Sequence, residues 1–91
     1  MEIEVKILNR LGLHARPAAL IAQAASRFAA EISLTPEGGP AADAKSILSL
    51  LMLGAPCGTV LKLAVSGDDA EVEANALQTI SGLFASKFDE E

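Results

Sequence analysis

The chain has 91 residues, 51% of them hydrophobic, with seven Lys and Arg against twelve Asp and Glu for a formal net charge of −5. That length holds one domain with a single modest core, so 1–91 reads as one unit with 86–91 as an acidic C-terminal tail, whose last three residues, Asp89-Glu90-Glu91, read as solvated and disordered. No basic excess is present, and three Phe are the only aromatics. Nucleic-acid binding is therefore disfavoured, since it needs cations for phosphates and rings for stacked bases.

Cys57 is alone, so it forms no internal disulfide and implies no oxidising compartment. It reads as an incidental loop thiol. The start, Met1-Glu2-Ile3-Glu4-Val5, is acidic and alternating, unlike a signal peptide. Apolar runs around 18–25 and 47–55 fall short of the ~20 residues that cross a bilayer. The expectation is a cytoplasmic protein with no membrane insertion, acting as a monomer.

In chain order, residues 3–8 alternate apolar and polar, the mark of a half-buried strand. A loop over 9–12 follows. From Arg16 to Phe28 the period becomes 3.6, with Leu20, Ile21, Ala24, Ala25 and Phe28 on one face. Pro17 sits in the first turn of that helix, where a missing N–H costs nothing. Glu31 to Thr35 is a second strand, stopped by the turn cluster 36–40, and 41–44 completes a hairpin. Residues 46–53 give a short helix ended by Gly54. Thr59 to Ser66 is another strand. Asp68 or Asp69 then caps a last helix, with Asp68 and Glu71 at capping-box spacing. Its stripe is Val72, Ala76, Ile80, Leu83 or Phe84, and Phe88. The order β-α-β-β-α-β-α predicts an α+β fold in two layers, helices on one side of a four-stranded sheet.

His14 is the single histidine, and it precedes a helix whose first turn holds Arg16. A helix start carries unpaired N–H groups and partial positive charge, which suit phosphate. Arg16 adds a planar cationic fork. A neutral imidazole there is a nucleophile near physiological pH. Gly12 lets the preceding loop pass close to the imidazole. A capping or surface histidine is the plain alternative. One His and a distant Cys57 cannot hold a metal, and no cofactor is implied. A Ser-His-Asp hydrolase lacks room for its parts in a chain this small.

The run Asn9-Arg10-Leu11-Gly12-Leu13-His14-Ala15-Arg16-Pro17-Ala18 resembles the active-site signature of HPr, the histidine phosphocarrier family of the bacterial phosphoenolpyruvate-dependent phosphotransferase system. Ala44-Lys45-Ser46-Ile47-Leu48, with Leu53-Gly54 and Gly58-Thr59, resembles the family's second signature, around a regulatory serine. The resemblance covers essentially the whole chain. It implies an open-faced two-layer β-sandwich with an antiparallel sheet and three helices on one face.

By the same resemblance, His14 matches the histidine phosphorylated by enzyme I on its pros nitrogen and relieved by sugar-specific IIA domains. Arg16 matches the phosphate-contacting arginine, while Ala15 and Pro17 open the helix at the site. Ser46 matches the serine modified by HPr kinase/phosphorylase where that enzyme exists, and it is also a good N-cap. Transcription regulators are further partners the family implies. Such a carrier holds phosphate loosely, so His14 and Arg16 are expected to be exposed, with no lid.

The helix from Ile47 is apolar nearly all round. Either it is tightly buried, or Ile47 and Leu51 join Leu13 in an exposed docking patch, with Lys45 and Arg27 adding positive potential. The resemblance favours docking, with Met52 in the core. Residues 1–46 carry five basic and five acidic side chains, and 47–91 carry two and seven, so the acidity lies away from the phosphate site. Two positions depart from carbohydrate-type members: Leu11 replaces a small polar residue, and Gln23 a basic one. Leu51-Met52-Leu53-Gly54 and the ending Phe88-Asp89-Glu90-Glu91 look like the nitrogen-related paralogue NPr. The alternatives are thus an NPr-type carrier, or a regulatory docking module of the same fold.

Overall fold

The computed structural model describes residues 1–90. Four strands and three helices follow one another as β1 (Glu2–Lys6), α1 (Ala15–Ala25), β2 (Ala30–Pro36), β3 (Ala42–Asp43), α2 (Ile47–Met52), β4 (Val60–Gly67) and α3 (Ala70–Ala85). A short 3-10 turn, Lys87–Asp89, closes the described chain. The sheet order is β1-β4-β2-β3 and every pairing is antiparallel. This is the expected α+β arrangement. The turn cluster makes the β2–β3 hairpin, in register Ser33↔Asp43 and Leu34↔Ala42.

Alternation along the strands explains the two layers. Val5, Ile32, Leu34, Leu61, Leu63 and Val65 are buried on one face, against Ile21, Ala25, Ala76, Ile80 and Phe84 from the helices. Each of these larger side chains contributes about 1.5–3 kcal/mol by leaving water. Ile3 stays partly exposed because β1 is an edge strand. Past β1, Ile7 N–H reaches Thr59 O at 2.9 Å and Gly58 N–H reaches Ile7 O at 2.7 Å. Those bonds tie the segment before α1 to the segment before β4.

One end of α3 decides between two alternatives, and the other holds a correction. Asp69, not Asp68, is the cap of α3: its Oδ1 accepts from Glu71 N–H at 2.9 Å and Val72 N–H at 3.4 Å. The reach back comes from Glu73, whose Oε2 accepts from Gly67 N–H at 3.2 Å. At the other end, α3 stops at Ala85 instead of running on to Phe88. Lys87, Phe88 and Asp89 all take left-handed backbone, with φ of 56°, 54° and 57°. L-residues adopt that conformation at about 1–2 kcal/mol each, so something must offset it. Phe88 is fully buried, its ring 5.0 Å from Phe84 and 64° to it. An edge-to-face pair of this kind adds to the burial. Residues 86–90 are therefore folded onto the domain. The expectation of a solvated, disordered Asp89-Glu90-Glu91 is wrong for Asp89 and Glu90, and Glu91 lies outside the described residues.

α2 is not the tightly buried helix of the first expectation, and it exposes Ile47 and Leu51 as the second had it, though not with Met52 in the core. Of its residues only Leu50 is buried. Ile47, Leu48 and Leu51 are exposed, and Met52 is 78% exposed, not in the core. One turn and a half of helix presents one narrow stripe to the core, so the other apolar positions are left facing water.

Candidate functional site

The segment before α1 is shaped by close backbone approach. Gly12 has φ +73°, and a Cβ on it would lie 2.6 Å from Ala55 O and 3.0 Å from Pro56 Cα. The glycine is thus required by the 55–57 loop beneath it, and the imidazole is not the neighbour that excludes a side chain. Leu13 N–H donates to Ala55 O at 2.9 Å, and His14 N–H to Gly12 O at 3.0 Å. Leu13 is only 4% exposed. It anchors this loop in the core, and its expected place in a docking patch is wrong. One apolar side chain, drawn inward, sets the position of the next residue.

His14 is the N-cap of α1, in extended backbone at φ −87°, ψ −170°, and its side chain makes no capping hydrogen bond. Its carbonyl accepts from Ala18 N–H at 3.1 Å. By helix geometry the N–H groups of Ala15 and Arg16 precede the first intrahelical bonds, and Pro17 has none to give. No acidic residue sits in this first turn. The His14 side chain is 36% exposed. Arg16 is exposed and Pro17 buried. The imidazole and the arginine both stand at the helix start, Arg16 exposed and His14 partly so.

Two residues that sequence reasoning passed over complete the site. The His14 Nε2–H donates to Glu90 Oε1 at 2.7 Å. A carboxylate accepts only, so this contact places the ring proton on Nε2. Asn9, fully buried, donates from Nδ2 to Gly12 O at 2.7 Å and to Glu90 Oε1 at 2.9 Å. Its Oδ1 has no partner. The hydrogen bond from His14 holds the Glu90 carboxyl below its usual range, opposed by burial and aided by Asn9 and the charges of His14 and Arg16. Asn9 lay within the quoted motif. Glu90, 76 positions from His14, carried no local signal at all.

Ser46 is the N-cap of α2, and its Oγ accepts from Ser49 N–H at 3.2 Å. Ile47 and Leu51 flank it on exposed surface, extended by Leu48 and Met52. Lys45 is held away from a free role: its Nζ donates to Phe28 O at 2.8 Å, just past the C-terminal end of α1. Arg27 is exposed. Among the described residues, no helix is long and apolar enough to cross a membrane.

Comparison with known proteins converges on the same chemistry. A family model described as PTS HPr component phosphorylation site matches residues 1–86. Phosphocarrier protein HPr of Treponema pallidum (strain Nichols) is 49% identical over 87 residues, covering 96% of this chain and 94% of that protein. Phosphocarrier protein NPr of Shewanella violacea is 44% identical over 90 residues, covering 99% and 94%. A crystal structure of HPr-C-His from Thermoanaerobacter tengcongensis aligns over 100% of this chain and 98% of its own, at 42% identity and a TM-score of 0.89. The chain belongs to the HPr family, and its role is that of a phosphocarrier of the phosphotransferase system.

Proposed function

We propose that the phosphoryl group travels on His14, received from phosphorylated enzyme I and passed to IIA domains in the cytoplasm. The observation that carries this is the open start of α1: an uncapped, half-exposed imidazole beside free N–H groups and Arg16. A phosphoryl group on the ring meets those donors and the guanidinium. A helix terminus offers an exposed anion only about 0.3–1 kcal/mol, which suits a group that must leave again. Ala15 and Pro17 shape that turn. The exposed patch of Ile47 and Leu51, with Leu48 and Met52, is the docking surface in this reading, and the exposed Arg27 adds positive charge to it.

Ser46 is the regulatory position in this reading, for HPr kinase/phosphorylase or an equivalent. A phosphate there adds about −1.5 to −2 charges beside the patch, while the helix start itself tolerates the charge. Ser46→Asp is expected to fold normally and to accept phosphate on His14 much more slowly. Unchanged acceptance removes the regulatory reading. The NPr relative supports a second reading, in which the nitrogen-type enzyme I is the donor.

Intact mass after incubation with phosphoenolpyruvate and a carbohydrate-type enzyme I tests the relay, wild type beside His14→Ala. One acid-labile phosphoryl group on wild type alone is the expected result. Success only with the nitrogen-type enzyme I moves the chain to that branch. Failure with both overturns the relay and favours a regulatory docking module.

A further inference from the structure

Glu90 reaches the imidazole by a route that looks costly unless the contact matters. Three consecutive left-handed residues turn the chain back after α3. Phe88 locks that turn into the core, and Glu90 follows with its side chain 14% exposed. From the other side, buried Asn9 commits one N–H to Gly12 O and the other to Glu90, leaving its own Oδ1 unpartnered. A tail that merely needed fastening is already fastened by Phe88.

We propose that Glu90 is a positioning residue for group transfer at His14, holding the proton on Nε2 so that Nδ1 is the acceptor and balancing the charge the ring gains. Among the described residues Nε2 has a partner and Nδ1 has none. The inference rests on the relay reading above and specifies its chemistry. The Nδ1 lone pair attacks phosphorus and the N–P bond forms. The donor's bond to phosphorus breaks, and its electron pair leaves with the donor. The ring, still protonated at Nε2, becomes cationic, and the anionic Glu90 lies against that proton. In onward transfer the N–P electron pair returns to Nδ1, and the ring departs neutral because Nε2 kept its proton. The logic is that of a carboxylate that orients a histidine and stabilises its charged form.

The test uses the full chain with potassium phosphoramidate, a small phosphoryl donor that needs no partner protein, and reads the isomer by 15N and 31P NMR. Wild type is expected to carry phosphate on Nδ1. Glu90→Ala is expected to yield the Nε2 isomer as well, and to accept phosphate from a phosphorylated donor protein about tenfold more slowly, as loss of a charge-assisted hydrogen bond implies. Glu90→Gln separates the two parts. Its amide oxygen still accepts from Nε2–H, so Nδ1 selectivity stays while the rate falls. An Ala variant with wild-type isomer ratio and rate overturns this inference alone. No phosphoryl group on wild-type His14 from either donor sinks the relay reading, and the inference with it.

Discussion

The starts of α1 and α3 are built in opposite ways. α3 opens with Asp69 closing two backbone N–H groups, and with Glu71 and Glu73 against the helix dipole. α1 opens with a histidine that caps nothing and with no acid in its first turn. α2 follows the α3 pattern through Ser46. A helix whose first N–H groups are satisfied is stable and inert, whereas one left open has donors available to an outside anion. What α1 forgoes in capping is supplied by neighbours: the 55–58 segment under Gly12 and Leu13, and the C-terminal turn that brings Glu90 to the ring.

The sharpest way to break that contrast is to remove the support. Phe88→Ala empties a fully buried site and is expected to cost about 3–5 kcal/mol in urea unfolding. It also frees Glu90, so the His14 Nε2–H signal should shift in the same protein. A stable variant with an unchanged signal separates the turn from the site. Gly12→Ala comes next. It forces a side chain into left-handed backbone against Ala55 O, at about 2–4 kcal/mol, and thermal melting reads the loss.

At the inert end, Ser46→Ala removes the bond to Ser49 N–H and should cost about 1 kcal/mol in urea unfolding, while Ser46→Asp restores the cap. The smallest effect concerns acid. In the fold the Glu90 carboxyl sits below its ordinary 4.5, through His14 first. Its contribution is therefore present above 4.5 and is lost as pH falls through the lowered value. Urea unfolding at about pH 7 and about pH 3 should show wild type ahead of Glu90→Gln at the first and its lead narrowed at the second. A gap undiminished in acid means the carboxylate charge is not what binds the tail.

Much of this was legible in the residues. Period 2 in β2 and β4 and period 3.6 in α1 and α3 placed every buried face, because those periods follow from backbone geometry alone. Element ends were less so: α3 stops three residues before Phe88, since a burial stripe says which side chain is inside and not which backbone carries it there. α2 misled for a related reason. An apolar residue is only permitted in the core, and a six-residue helix had room there for Leu50 alone.

The sequence by itself determined the local chemistry at His14: a proline-opened helix start, a nearby arginine, and serine and aspartate caps elsewhere. These depend on neighbours a few residues apart, where chain geometry permits few alternatives. Only the tertiary structure decided that Leu13 is an anchor, that Gly12 answers to Ala55, and that Asn9 and Glu90 meet the imidazole. Those contacts join residues up to 81 positions apart, and their geometry exists only once the sheet and the left-handed turn have brought distant backbone together.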